Sequence, residues 1–339
     1  MSAAVERARQ LRTRLAAAQA DDAEGRCPPG THELLLEGGF QAMLVPRRGG
    51  GLGLDVPGFL AVAGELARGW PSSAWCAAAL AAGSARAHAL FDAGDGARCA
   101  LGLAGEATAT PTPSGWEVSG TFMRCAGAQF ATHFLGVAGI EGSDSTLRFL
   151  ASSEQFELRN DGGDSCAATV VLEATAIPQA MGSPAQVTID SWSASIPAAA
   201  LAAVFAGAAA RAAELAQANV AAAPATRALD VDHQRWLGAA MAHSDAAARL
   251  LSEGAVTKGE GLALAALAHH SMRYSREAAQ DALRGSGAAD RASREELERI
   301  ARFMLEHTGD GAVPAPEWVA RQLARERLEL PLDAALPVP

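Results

Sequence analysis

Apolar residues recur at helical spacing through the N-terminal part of the chain. Val5, Leu11 and Leu15 fall at roughly helical intervals and predict a helix over residues 3–20. Three further helices are predicted with their start signals: residues 32–37 with Thr31 as N-cap, residues 58–67 opened by Asp55 and Pro57, and a helix capped by Ser72 or Ser73 that runs to about Leu90. The chain is therefore expected to begin with a helical domain.

The pattern changes at Gly102, where short runs of strand-forming residues replace the helical spacing. Threonines and prolines within residues 108–113 interrupt any helix. The predicted strands lie near residues 116–122, 133–137, 146–150 and 168–172. Clusters of glycine, aspartate and serine separate them, so this part is predicted to be a compact β block of roughly 90 residues.

Helical, alanine-rich sequence returns after Pro197 and continues to about Leu328. Its longest apolar run, residues 196–210, is too short to span a membrane and predicts a buried helix. The predicted fold class is mainly α with a small β domain. The predicted parts are a helical N-terminal domain over residues 1–101, a β domain over 102–192, a helical bundle over 193–330 and a tail over 331–339.

The charge of the chain limits its partners. Its 28 Lys and Arg residues against 38 Asp and Glu residues give a net charge of −10, and the basic residues form no stripe. We therefore expect neither nucleic acid nor an anionic membrane as a partner. Residues 1–14 mix Glu6 with several arginines and contain no apolar core, which is unlike a secretory signal and predicts a cytoplasmic location.

The cysteines and histidines predict no metal site. The five cysteines are widely spaced and form no CxxC pair, so neither a zinc site nor a disulfide framework is indicated. His269 and His270 are adjacent and would point about 100° apart on a helix. His233 and His243 fall on similar helix faces but too far along the axis to share one ion.

Several motifs occur in an order that is typical of one family. In the N-terminal part they are the leucine-rich segment 34–40, Leu44-Val45-Pro46, and the glycine loop of residues 49–53. In the β block they are Gly115-Trp116-Glu117-Val118-Ser119-Gly120, Val170-Val171-Leu172 and Ile177-Pro178. In this order the chain resembles the acyl-CoA dehydrogenase superfamily. Glu65-Leu66-Ala67 followed by Ser73-Ala74-Trp75 is similar to its branch of two-component flavin monooxygenases.

This resemblance implies a fold, a cofactor and a class of reaction. The implied fold has a helical N-terminal domain, a middle β-barrel or sandwich and a C-terminal four-helix bundle that assembles as a homotetramer. The implied activity is that of a flavin-dependent oxidoreductase, a monooxygenase that acts on a small organic molecule with FAD or FMN reduced by a separate flavin reductase. Two alternatives stay open: an acyl-thioester dehydrogenase, and a family member without flavin that does non-redox chemistry or only binds a ligand.

The chain departs from the family pattern where the flavin should lie. The segment between Phe91 and Trp116 is shorter than in the family, and the usual histidine of the second long helix is replaced near Gly83-Ser84. Late in the chain, Phe303 stands where the family has an aspartate. We therefore expect flavin binding to be weak or lost.

Small residues at two places are the candidate flavin contacts. They are Cys125, Ala126 and Gly127 at the end of a predicted strand, and Ser165, Cys166 and Ala167 before the strand that returns the chain to the helices. Small side chains would let backbone N–H groups approach the flavin ring. The alternative interpretation of the same residues is tight β packing.

His307 and Glu306 are the candidate catalytic residues. The resemblance implies that a C-terminal histidine faces the flavin in the monooxygenases, where an imidazole suits proton transfer near neutral pH. It also implies that a glutamate in this region removes a substrate proton in the dehydrogenases, which would assign that role to Glu306. The alternative is a histidine that interacts favourably with the C-terminal end of a helix.

Overall fold

The computed structural model describes residues 3–21, 29–102, 105–159, 167–186, 191–222, 231–252, 258–288 and 290–307. These residues form a helical N-terminal part, an eight-stranded sheet and a second helical part, in that order along the chain. The predicted fold class, mainly α with a small β domain, is confirmed. Ser165, Cys166 and the predicted tail lie outside the described residues.

The N-terminal part contains four helices. They are α1 (Ala3–Asp21), α2 (Pro29–Glu37), α3 (Val56–Ala67) and α4 (Pro71–Phe91). Asp55 caps α3 as predicted, because its carboxylate accepts a hydrogen bond from the Gly58 N–H at 2.9 Å. The other predicted caps are wrong. Thr31 lies inside α2, and α4 begins at Pro71 after Trp70, so Ser72 and Ser73 are already helical.

Eight strands follow and form one sheet. They are β1 (Cys99–Leu101), β2 (Gly105–Thr112), β3 (Gly115–Ala126), β4 (His133–Ile140), β5 (Ser145–Ser152), β6 (Glu157–Arg159), β7 (Ala167–Pro178) and β8 (Gly182–Gln186). The order across the sheet is β6-β7-β3-β2-β4-β5-β8, and β1 pairs with β4. The run with threonines and prolines is therefore a strand, β2, because Pro111 lies near the turn to β3, where a strand tolerates a proline. The sheet begins at β1, ahead of the predicted domain boundary at residue 102.

The C-terminal helices pack around one central helix. They are α5 (Ser191–Ala222), α6 (Val231–Ser252), α7 (Lys258–Arg284) and α8 (Arg291–Glu306). Among the described residues, the segment Ser195–Ala218 of α5 is the one long and apolar enough to cross a membrane, but 83% of its apolar window is buried inside the protein. The prediction of a buried helix over residues 196–210 is therefore confirmed. Helix α5 packs against α3, α4, α6 and α7, which makes it the core of the helical part.

Helix α4 joins the two hydrophobic cores. One core fills the space between the helices of both helical parts, and the other lies against the sheet around Phe122, Phe134 and Phe149. Cys76 and Leu80 of α4 belong to the sheet core, whereas other residues of the same helix belong to the helical core. This packing fixes the end of β3 against α4.

Candidate functional site

The C-terminal end of α8 meets the C-terminal end of β3. The Arg124 guanidinium donates a hydrogen bond through Nη2 to the backbone carbonyl oxygen of Glu306 at 2.5 Å. Residues that are far apart in the sequence are therefore held together: Arg124 links the end of β3, which contains the predicted flavin contacts, to the end of α8, which contains the predicted catalytic pair. We call this place the β3–α8 junction, defined by Arg124, Cys125, Gly127, Glu306 and His307.

Arg124 has an unusual backbone conformation at this junction. Its φ is 54°, in the left-handed region that non-glycine residues seldom adopt. The pairing between β3 and β7 shifts register between Phe122 and Cys125, so Arg124 lies within a bulge. Such a conformation costs on the order of 1 kcal/mol or more, and strain of this kind is concentrated at functional sites.

His307 is buried at the end of α8. Its side chain is 1% exposed, and its ring packs on the ring of Phe303 with the two centroids 4.3 Å apart. The Nδ1 atom lies 2.9 Å from the Phe303 carbonyl oxygen. Because a carbonyl oxygen can only accept, Nδ1 carries a proton; in the neutral ring Nε2 then carries the lone pair, and this is the form in which an imidazole can act as a general base. The contact with the carbonyl of Phe303 also matches the helix-end interpretation, so catalysis by His307 stays a prediction.

Glu306 differs from His307 in its surroundings. Its backbone carbonyl is held by Arg124, while its side chain is only partly buried. Glu306 therefore keeps some contact with solvent, whereas His307 is buried.

The side chains of the β3 candidates face the protein rather than a cleft. Cys125 is 1% exposed and donates a hydrogen bond from Sγ to the Phe122 carbonyl, and Ala126 is 5% exposed. Gly127 has φ 74°, and a Cβ atom there would lie 2.8 Å from the Leu80 side chain and 3.0 Å from Cys76 Sγ. The tight-packing interpretation therefore describes these side chains, and this segment could hold a flavin only through its backbone.

The second group of candidates joins the first through the sheet. Ala167 opens β7 and pairs with Ala126, while Cys125 pairs with Ala168. Ala167 is partly buried. The structure thus brings Ala167 next to the β3 candidates, and Ser165 and Cys166 lie outside the described residues.

The comparisons with known proteins concern the N-terminal domain and the whole fold. Residues 3–97 match the family model described as acyl-CoA dehydrogenase, N-terminal domain. Similar solved structures include XiaF from Streptomyces sp. in complex with FADH2 and glycerol, with 20% identity, 96% of this chain and 95% of that chain covered, and a TM-score of 0.79. The chain has an acyl-CoA dehydrogenase fold.

Two further solved structures have the same fold. The HsaA monooxygenase from M. tuberculosis is 16% identical, with 97% of this chain and 98% of that chain covered and a TM-score of 0.79. TdsC from Paenibacillus sp. A11-2 in complex with FMN and indole is 18% identical, with 96% and 97% covered and a TM-score of 0.79. No curated protein sequence matches this chain. The resemblance to the acyl-CoA dehydrogenase superfamily is confirmed.

Gly83 and Ser84 of α4 stand near the position where the resemblance implied a histidine, and both contact β1. A Cβ atom at Gly83 would lie 2.0 Å from the Cys99 carbonyl oxygen, and the Ser84 hydroxyl accepts a hydrogen bond from the Cys99 N–H at 3.0 Å. Strand β1 therefore lies directly on α4. A larger side chain at this position would push the sheet away from the helix.

A stacking contact between His32 of α2 and Phe130, which follows Gly127 closely in the chain, was not predicted from the sequence. The rings of His32 and Phe130 stack with centroids 3.9 Å apart, and Arg98 donates a hydrogen bond from Nε to the Phe130 carbonyl at 2.8 Å. Burial, and secondly the positive charge of Arg98, lower the pKa of His32 to about 4. Phe130 follows Gly127 within one short turn, but no spacing in the sequence connects it to α2.

Among the described residues, no group of three or more His, Cys, Asp or Glu side chains could hold an ion. Burial raises the pKa of the Cys99 thiol, so this cysteine stays protonated and unreactive.

Proposed function

We propose that this protein is a flavin-dependent oxidoreductase of the monooxygenase type, which acts on a small organic molecule. Reduced FMN or FAD would come from a separate flavin reductase. The proposal is supported by the shared fold with XiaF in complex with FADH2, with TdsC in complex with FMN, and with the HsaA monooxygenase. For this chain the proposal rests on the contact between Arg124 and the Glu306 carbonyl, because it links the strand end where the resemblance puts the flavin to the helix end that bears the buried His307.

A bound flavin would supply the redox chemistry, and the protein would bind it, exclude water and move a proton. The backbone of Cys125, Ala126 and Gly127, with Ala167 on the neighbouring strand, would face the flavin ring. His307 would accept or donate the proton at Nε2, since its Nδ1 proton is committed to the Phe303 carbonyl. Arg124 would hold the end of α8 in place through the Glu306 carbonyl.

Flavin affinity is expected to be lower than is usual for such enzymes. Cys125 and Ala126 have no hydroxyl group, and their side chains face the core, so neither side chain donates a hydrogen bond to the flavin. Each lost hydrogen bond to the flavin costs on the order of 1 kcal/mol. Two or three such losses would weaken binding by roughly a hundredfold.

The proposal is tested by titrating the protein with FMN and FAD, oxidised and anaerobically reduced, while fluorescence and calorimetry are recorded. We expect binding of at least one reduced flavin at micromolar to sub-millimolar concentration. His307→Ala should leave this affinity nearly unchanged and reduce turnover of an aromatic test substrate by roughly a hundredfold. Glu306→Gln is the matched control and should keep most of the activity.

A second candidate function is a family member that has lost flavin. The observations that favour it are the inward-facing side chains at Cys125 and Ala126 and the close contact of Gly83 with β1. The absence of binding of any flavin at millimolar concentration would overturn the oxidoreductase proposal and favour this one. The acyl-thioester dehydrogenase would instead need Glu306 as the base, so a strong loss of turnover in Glu306→Gln with an active His307→Ala would favour that reaction.

A further inference from the structure

A cluster of rings lies between α6 and α7, separate from the β3–α8 junction. The rings of His243 and His270 have centroids 5.5 Å apart, and Tyr274 lies 5.4 Å from the first and 6.1 Å from the second. Trp236 stacks on Tyr274 at 5.3 Å. The two helices thus bring two imidazoles and a phenol together at one place.

The Nε2 atom of His243 can act as an electron-pair donor inside the protein. It is 4% exposed, and its Nδ1 lies 2.6 Å from the Ala239 carbonyl oxygen, so Nδ1 carries the proton. Its Nε2 is buried and has no hydrogen-bond partner among the described residues. A buried acceptor without a partner is costly, which indicates that something fills this position in solution.

The position of His270 fits a shared ion. Two imidazoles on one tetrahedral metal, with metal–nitrogen bonds of about 2.0 Å and a ligand angle of about 109°, have ring centres about 5 Å apart. The observed 5.5 Å between His243 and His270 is close to that separation. A histidine that ligates a metal also commonly donates its other N–H to a backbone carbonyl, as His243 does to Ala239.

We propose that α6 and α7 form a binding site for a divalent transition-metal ion, with His243 and His270 as the two protein ligands. Water molecules would complete the coordination, and Tyr274 would close one side. Imidazole ligands select zinc or nickel over calcium or magnesium, which require oxygen ligands. The exposed Arg273, over the Tyr274 ring at 4.9 Å, opposes a cation, but its charge is screened by solvent and salt.

This site could not be predicted from spacing within one helix. His269 and His270 are adjacent, and His233 and His243 are ten residues apart on the same helix, so neither pair can share an ion. The pair that can do so combines one histidine from each helix, and only the packing of α6 on α7 brings them together. The inference does not depend on the proposed redox function.

The proposal is tested by thermal unfolding of the full chain with zinc chloride or nickel chloride at about 0.1 mM, or with EDTA. Because an ion that binds only the folded state stabilises it, the metal should raise Tm by a few degrees, and EDTA should reverse the rise. Calorimetry should give one ion per chain.

The matched variants are His270→Gln, which removes a half-buried ligand, and His269→Ala, which removes its neighbour. The metal-induced rise in Tm should disappear in His270→Gln and persist in His269→Ala. Unfolding in EDTA shows that each variant is folded, and His243→Asn provides a second ligand variant. The proposal is wrong if the wild-type protein shows no rise, or if the rise persists in His270→Gln.

Discussion

At the scale of the residue, Arg124 combines a strained backbone with a contact between two distant parts of the chain. Its left-handed φ of 54° is favourable only for glycine, and its guanidinium holds the Glu306 carbonyl. The residue lies in the bulge of β3, where the pairing with β7 shifts between Phe122 and Cys125.

Two substitutions of Arg124 separate the effect of the backbone strain from that of the hydrogen bond to Glu306. Arg124→Gly and Arg124→Ala both lose the hydrogen bond to Glu306, but only glycine removes the strain. We therefore expect Arg124→Gly to be more stable than Arg124→Ala by about 1 kcal/mol, measured by denaturant unfolding. Both variants should lose turnover, because the end of α8 that bears His307 is no longer held. Equal stability of the two variants would show that the backbone is not strained in solution.

His32 gives a prediction for the dependence of stability on pH. Its pKa is lowered from 6.5 to about 4 in the folded protein, so the unfolded chain binds the proton more tightly. The stabilisation is therefore complete above pH 6.5 and decreases as the pH falls from 6.5 to about 4. In His32→Phe, which can keep the stacking on Phe130, Tm should fall less over this range than in the wild-type protein. Parallel curves of Tm against pH would contradict the assignment.

At the scale of the element, a group of charges joins α1, α3, α5 and α8. The Glu214 carboxylate of α5 accepts hydrogen bonds from Arg12 of α1 at 2.8 Å and from Arg68, which follows α3. In the same group, the Arg211 guanidinium donates a hydrogen bond to Glu296 of α8 at 2.7 Å. Burial, and secondly the nearby charge of Arg12, lower the pKa of Arg68. Glu214 therefore holds together arginines that would otherwise repel one another.

We expect Glu214→Gln to destabilise the protein by about 2 kcal/mol, because it leaves partly buried arginines without their shared carboxylate. The control is Glu298→Gln, which breaks the exposed pair of Arg294 and Glu298 within α8 and should change stability by less than about 0.5 kcal/mol. Chemical denaturation of the two variants measures the difference. If both changes are equally small, the charges around Glu214 do not hold the helices together.

At the scale of the whole molecule, the C-terminal bundle is predicted to associate into a tetramer. Helices α5, α6 and α7 are rich in alanine and can approach one another closely, and Met241 on α6 is 50% exposed. Helix packing of this kind commonly forms obligate interfaces. Light scattering at micromolar concentration should give about four times the chain mass of 34.7 kDa. A single species at the chain mass would contradict the prediction.

The sequence by itself determined the order and type of the main elements. Helical spacing, the Asp55 cap and the change of period at Gly102 were sufficient, because these signals depend on neighbours along the chain. The caps at Thr31, Ser72 and Ser73 were predicted wrongly. Several residue types can start a helix, and prolines at Pro29 and Pro71 already start these two.

The direction of side chains and the distant pairings were decided only by the tertiary structure. Small residues such as Cys125 and Ala126 are compatible with a ligand contact or with close packing, and only the position of α4 shows that their side chains are buried. Arg124 with Glu306, and His243 with His270, come together across loops and helices of different length. No pattern along one element encodes such contacts, because they arise from the way whole elements pack.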